Sequence, residues 1–259
     1  MVKFIFSILF LLIFINKSFS SNDVSYIAHA GGEIDGFTYT NSLKSVKQSI
    51  KIGYNFIEID LNLSSDGYFY GFHDFKSLIL KDQKDFETID NFKKKFFSKT
   101  VKKKDLTSLN KKLKYPIILE NEIINIFKSN TNLILVTDKT QDFRQLKDKF
   151  NFMNDRLYIE IGTKKNYLKS LFYSFDNKIF LTSNFDLMDR LFIRLFRIKN
   201  VVFQKNLLKM NVHKNKLEEY KNLFNIKFFI YTVNYNDDFS FYPKLVDFIY
   251  TDNILLKNK

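Results

Sequence analysis

Glu58 and Asp60 stand two residues apart in the run NFIEIDL, and histidines stand at 29 in IAHAGG and at 73 in GFHDF. If 55–61 is a β-strand, a spacing of two puts both carboxylates on one face. In a strand otherwise rich in Phe, Ile and Leu, that face is the interior or mouth of a barrel. Two carboxylates confined together repel one another unless a cation or a proton intervenes. A ligand set made only of oxygen favours Mg2+ or Ca2+ over zinc or copper. Histidine passes protons well because its ordinary pKa lies near neutrality. His29 and His73 are therefore candidate acid–base groups, and Glu58 and Asp60 candidate ligands of a divalent metal. The third histidine, His213, sits apart from these residues on a lysine-rich helical run, 206–223, and is expected at the surface. The chain has no cysteine, which excludes thiol nucleophiles, disulfides, zinc–thiolate sites and iron–sulfur clusters.

The elements that must position these groups alternate along the chain. Short apolar runs at 24–28, 55–61, 132–136, 157–161, 178–182, 200–204, 226–233 and 246–250 read as strands, and stretches such as 41–52, 142–151 and 184–198 read as helices. In the first helix Leu43, Val46 and Ile50 keep helical spacing behind Asn41-Ser42, a plausible cap. Eight such alternations predict an α/β protein, a parallel sheet closed as a single-domain (β/α)8 TIM barrel over residues 21–259. An open doubly wound sheet is the alternative, but no glycine-rich phosphate loop follows the first strand. The stretch from 75 to 130, with its lysine clusters and Pro116, is the place for an insertion or lid. In a barrel, catalytic groups belong at the C-terminal ends of the strands. His29, Glu58, Asp60 and His73 fall there, as do Thr137-Asp138-Lys139, Thr232 to Asn234 and Thr251-Asp252.

Hydrophobic residues make up 45% of the 259, enough for a large core, and the formal charge is +13. The lysines are spread along the chain with modest clusters at 93–95, 102–104 and 111–114, and no RNA- or DNA-binding motif accompanies them. Nucleic acid is therefore not an expected partner, while peripheral contact with an anionic membrane is. Residues 1–20 open with Lys3, continue through the apolar run Phe4 to Ile15 and end in Ser18-Phe19-Ser20. That is the pattern of a signal peptide cleaved after Ser20, and it predicts an exported chain, periplasmic or secreted. An uncleaved N-terminal membrane anchor is the alternative.

His29-Ala30-Gly31-Gly32, Thr40-Asn41-Ser42, Glu58-Ile59-Asp60, Ser65-Asp66-Gly67 and His73-Asp74, in this order, resemble the glycerophosphodiester phosphodiesterase family. TVN at 232–234 and YTDN at 250–253 look like that family's last two strands, so the resemblance spans roughly 24–254. The family shares its barrel with phosphatidylinositol-type phospholipases C and spider-type phospholipase D toxins. The resemblance implies a phosphoric diester hydrolase in which His29 and His73 act as general acid and base. It also implies that Glu58 and Asp60 hold a divalent ion, and that the substrate is a small phosphodiester or a phospholipid headgroup.

The chain departs from the family pattern in two places. The arginine that follows the first histidine is Ala30 here, so a cation for the phosphate must come from elsewhere; Lys139 is the substitute expected, with Asn234 as a second phosphate- or substrate-binding residue. The family's third metal carboxylate lies two before a lysine on the third strand. Two before Lys139 is Thr137, and the acid, Asp138, is one place off. Asp138 is carried as the third ligand, although alternation would aim it and Lys139 to opposite sides unless the strand ends there. Two other functions fit the same residues. One is a phospholipase-like lyase that forms a cyclic phosphate; the other is an exported binding protein with impaired catalysis.

Overall fold

Each apolar run predicted as a strand forms one, with ends within a few residues of the run. In the computed structural model, which describes residues 24–206, 211–237 and 245–253, eight parallel strands close a barrel. They are β1 (Ser25–Ala28), β2 (Phe56–Glu58), β5 (Ile134–Thr137), β6 (Leu157–Ile161), β7 (Asn177–Leu181), β8 (Asn200–Gln204), β9 (Lys227–Tyr231) and β10 (Phe248–Thr251). The order round the barrel is β1-β10-β9-β8-β7-β6-β5-β2, and β1 pairs with both β10 and β2 to close it. The run expected as one strand over 55–61 is shorter. It stops at Glu58, and the chain re-enters sheet structure as an antiparallel hairpin of β3 (Leu61–Leu63) and β4 (Phe69–Gly71) outside the barrel.

The helices are α1 (Leu43–Ile52), α2 (Phe86–Phe97), α3 (Lys103–Lys112), α4 (Glu120–Ser129), α5 (Phe143–Phe150), α6 (Lys164–Ser170), α7 (Leu187–Leu195) and α8 (Asn211–Phe224). Local chemistry fixes their starts. Ser42, Asp142, Thr163 and Asp186 each accept a hydrogen bond from a backbone N–H in the first turn of α1, α5, α6 and α7. α1 ends at Gly53, whose left-handed φ of 107° lets the chain turn away.

Side chains from alternate strand positions divide between two cores. Ile27, Val136, Ile179, Val202, Phe229 and Tyr250 fill the barrel interior, where the rings of Phe229 and Phe248 stack at 4.2 Å. The residues between them, such as Ala28, Ile57, Leu135 and Ile159, pack outward against the helices. The insertion has a third core of its own. Tyr70, Phe72, Phe92, Leu106 and Leu109 bring α2 and α3 onto the β3–β4 hairpin, and α4 then returns the chain to β5. Among the described residues no helix is long and apolar enough to cross a membrane. The segment expected as a signal peptide, 1–20, lies outside the described residues, and so does the side chain of His213.

Candidate active site

Two residues beyond the last interior apolar side chain, strand after strand carries a polar group. Ile27 is followed by His29, Phe56 by Glu58, Val136 by Asp138, Tyr158 by Glu160, and Tyr250 by Asp252. The period of two therefore delivers these groups to one rim of the barrel, at the C-terminal ends of the strands.

His29 opens a single 3-10 turn, His29–Gly31, in which Ala30 takes a left-handed φ of 49°. That turn aims the Ala30 N–H at Glu58, whose Oε2 accepts it at 2.6 Å. Gly31 and Gly32 let the backbone approach α1 closely. A Cβ on Gly32 would lie 2.3 Å from the Ser49 Oγ, and both glycines have φ above +80°. The His29 ring is mostly buried, with its Nδ1 3.0 Å from Asp252 Oδ1 and 3.3 Å from Thr232 Oγ1. Asp252 is fixed in turn by Asn234, whose Nδ2 donates to Oδ2 and whose Oδ1 accepts the Asp252 N–H, both at 2.9 Å. A carboxylate on Nδ1 selects the tautomer that leaves Nε2 free toward a substrate. Asn234 thus reaches the rim as expected, but its amide is engaged with Asp252.

Glu58 and Asp60 are both buried and share one side, and the oxygens of Glu58, Asp60 and Asp138 lie within 4.8 Å of one another. Asp60 is clamped by Asn41, whose Nδ2 donates to Oδ2 at 2.6 Å and whose Oδ1 accepts the Asp60 N–H at 2.9 Å. Burial, and then the charges of Asp60 and Asp138, push the Glu58 carboxyl well above the usual range, against the opposing Ala30 N–H. The Asp138 carboxyl is also raised, by burial and then by Asp60, with Lys139 opposing. Asp138 keeps the interior side of Val136, and because the strand ends at Thr137, Lys139 is released from strict alternation and reaches the same site. Lys139 Nζ lies 3.1 Å from Asp60 Oδ1 and 3.0 Å from Asp138 Oδ2. Burial works against its charge, but Asp138 and Asp60 outweigh burial and hold the ammonium proton above the usual lysine range. One lysine against these acids leaves an excess of negative charge. The donors suit a hard divalent cation, since they are all carboxylate oxygens and the buried Asp138 Oδ1 has no hydrogen-bond partner among the described residues.

Glu160 was not among the residues singled out by sequence, although its place in LYIEI, two after an interior tyrosine, carries the signal. Its carboxyl accepts a hydrogen bond from Tyr250 and is pushed up to about 8 by burial and then by Asp138, with the Tyr250 hydroxyl opposing. Between the ordinary glutamate range and about pH 8, the metal-free folded chain holds a proton that the unfolded chain has released. Stability is therefore greatest at the acid end of that window and falls as pH rises through it, by up to ~1.4 kcal/mol per pH unit for one such group. The melting temperature of metal-free protein is expected to drop between pH 5 and pH 8, and Glu160→Gln to flatten the drop. An equal drop in the variant would remove Glu160 as its source.

His73 is held more loosely than His29. Its side chain is 30% exposed against 13%, and Asp74 Oδ2 lies 3.2 Å from Nδ1 without hydrogen-bond alignment. Asp74 is fixed by capping the turn Phe75–Ser77, where its Oδ1 accepts two backbone N–H groups. Tyr39 stands between the two histidines, 4.7 Å from the His29 ring and 4.6 Å from that of His73, centre to centre. Burial raises its hydroxyl pKa, so the phenol stays neutral and able to donate. Sequence placed Asp252 at the rim by its strand end but not beside His29, and Tyr39 did not stand out at all, because each acquires its role only from what it touches across the rim.

The family model described as the Glycerophosphoryl diester phosphodiesterase family matches residues 29–221. No curated protein matches the chain. Among solved structures it is similar to a glycerophosphodiester phosphodiesterase from Parabacteroides distasonis, at 17% identity and a TM-score of 0.64, covering 89% of this chain and 93% of that one. It is also similar to an Oleispira antarctica phosphodiesterase in complex with the product sn-glycerol-3-phosphate, at 16% identity, a TM-score of 0.64 and coverage of 88% and 92%. A glycerophosphodiester phosphodiesterase from Thermotoga maritima matches at 16% identity and a TM-score of 0.61, over 88% of this chain and 94% of that one. At these identities the likeness to solved structures is one of fold.

Proposed function

The chain belongs to the glycerophosphoryl diester phosphodiesterase family, a phosphoric diester hydrolase family, and from that premise we propose that it hydrolyses glycerophosphodiesters by histidine acid–base catalysis beside a divalent metal. The observation that carries this reading is the meeting of His29 and His73 with Glu58, Asp60 and Asp138 at one rim.

His29, with Nδ1 on Asp252, is the base that takes a proton from the attacking water at Nε2. His73 is the acid that returns a proton to the departing alcohol oxygen. Water oxygen bonds to phosphorus, the ester P–O bond breaks, and the products are a phosphomonoester and an alcohol. Glu58, Asp60 and Asp138 would hold Mg2+ or Ca2+, which when bound neutralises phosphate charge and polarises its oxygens. Lys139 supplies a fixed positive charge beside the phosphate, and Tyr39 a neutral donor between the histidines. Asn234 acts through Asp252, holding the carboxylate that orients His29. The apolar N-terminal segment supports action outside the cytoplasm on soluble glycerophosphodiesters or lipid headgroups.

The direct test is phosphorus NMR of a panel of glycerophosphodiesters incubated with the protein and Mg2+ or Ca2+. A new phosphomonoester resonance is expected. A cyclic phosphate would replace hydrolysis by attack of a substrate hydroxyl, and no turnover of any diester would point to a binding protein. A narrower test is Asp252→Asn, which disturbs the His29 tautomer while keeping the shape of the side chain. It is expected to lower kcat by about a hundredfold or more with little change in melting temperature. An unchanged kcat would remove Asp252 from the positioning of His29.

A further inference from the structure

On the flank of the barrel, helix α7 turns a row of large apolar side chains to solvent. Leu187, Met188, Leu191 and Leu195 are all exposed, Leu195 by 74%, while Phe192 and Ile193 bury the other face against the barrel. The spacing of four from Leu187 to Leu191 to Leu195 makes the row continuous along the helix. α6 lies alongside, joined by Lys164 to Asp189 at 2.8 Å and by the Tyr167 and Phe192 rings. It and the turn after it expose further apolar side chains, Leu168 by 39% and Phe172 by 87%. Isolated exposed apolar residues are ordinary on a protein surface; a continuous row along one helix, with more on the helix beside it, is not.

A second row runs beside the first. Arg190 and Arg194 follow at a spacing of four on α7, Arg197 is exposed in the turn just past its end, and none has an acidic partner among the described residues. Lys165 and Lys169 add exposed cations on α6. An apolar ridge edged by unpaired arginines matches a surface that is apolar beneath and anionic on top. A second copy of the chain docked about a twofold perpendicular to α7 would set arginine row against arginine row, whereas lipid phosphates complement the row in any orientation. The insertion carries lysines too, but Lys95 pairs with Asp105 and Lys112 with Asp85, and its exposed Phe86 and Phe97 sit at opposite ends of α2. In a (β/α)8 barrel each helix starts at the rim where the preceding strand ends, so Leu187 and Met188 lie toward the rim that carries the active site. We infer that the α6–α7 flank docks the protein on an anionic lipid surface, the leucine ridge entering the headgroup boundary and the arginine row meeting lipid phosphates.

Vesicle binding is measured separately from catalysis. The full chain is incubated with vesicles of phosphatidylcholine alone or with 30 mol% phosphatidylglycerol (roughly the charge density of an anionic leaflet), and the bound fraction is measured by flotation. Three variants are compared with it: Leu191→Ser with Leu195→Ser, Arg194→Glu with Arg197→Glu, and Lys93→Glu with Lys94→Glu on α2. Any contribution of the N-terminal apolar segment is common to all four proteins. Both α7 variants are expected to lose about tenfold or more of their partitioning to anionic vesicles. The α2 variant is expected to lose much less, and the arginine effect to shrink at high salt. All four should turn over a water-soluble glycerophosphodiester at the same rate; loss of that turnover bears on the catalytic reading alone. Equal partitioning of the α7 variants and the parent chain would overturn the inference. So would binding that does not distinguish anionic from neutral vesicles, or light scattering showing a dimer that the α7 substitutions disperse.

Discussion

His29→Ala and His73→Ala are each expected to lower kcat for a glycerophosphodiester by about 10²–10⁴-fold, the range for loss of a positioned proton donor or acceptor. The fold should survive in both. His29 is packed between Tyr39 and Tyr250 and tied to Asp252, yet its removal leaves the β1 turn held by the Ala30 N–H on Glu58 and by Ser49 Oγ on the Gly31 carbonyl. His73 stands on a loop, with Asp74 fixed independently by its own turn. The two substitutions should nevertheless differ in pH profile. Loss of the base removes the acid limb of the kcat/KM curve, and loss of the acid removes the alkaline limb. Stopped assays across pH 5 to 9, with circular dichroism to confirm folding, check this. Full activity in either variant would remove that histidine from proton transfer, and identical residual profiles would overturn the division of roles.

Glu58→Gln is expected to abolish turnover while making the metal-free protein more stable. The two effects have one cause. Glu58 is buried beside Asp60 and Asp138, and its raised pKa measures how poorly that site tolerates another negative charge without a cation. Glutamine keeps an oxygen to accept the Ala30 N–H and removes the charge. At pH 8 in chelator, the variant should therefore melt at a higher temperature than the parent. Adding Mg2+ or Ca2+ reverses the comparison. A cation that binds only the folded chain stabilises the parent by about 2.7 kcal/mol at a hundred times its Kd, and the variant by far less. Calorimetric scans with and without metal read both effects, and chelator should silence turnover of the parent reversibly. Equal stabilisation of parent and variant by either cation would remove Glu58 from the metal site, whatever happened to activity.

The elements were legible because their signals are local. Short apolar runs mark strands such as LYIEI and NVVFQ, and a capping residue marks a helix start such as Ser42. The break in NFIEIDL was not legible. Nothing local distinguishes a strand that continues from one that stops at Glu58 and resumes in a hairpin, and the insertion's own core of Tyr70, Phe72 and Phe92 decides it. The lysine-rich stretch expected as an insertion or lid does form the two helices α2 and α3, while α4 belongs to the barrel.

The candidate site divides in the same way. Sequence by itself determined which residues could do proton transfer or hold a metal, because so few histidines exist and a spacing of two on a strand fixes a shared side. It also led to the expectation that Glu58 and Asp60 face together, but the strand ends at Glu58, and it is the clamp of Asn41 on Asp60 that holds the second carboxylate beside the first. Whether Asp138 and Lys139 could both reach that site depended on where β5 ends, and the end of a strand is set by its neighbours' hydrogen bonds. The partner of His29 lay further beyond reach. Asp252 is 223 positions away and meets the ring because β1 pairs with β10, with Ala28 opposite Thr251. Closure of the barrel brings the first and last strands together, and no local pattern in either strand records that register. The same closure gathers Glu160 and Tyr250 from opposite parts of the chain. The types of chemistry were therefore written along the strands, and the pairs that tune it were made only by closing the ring.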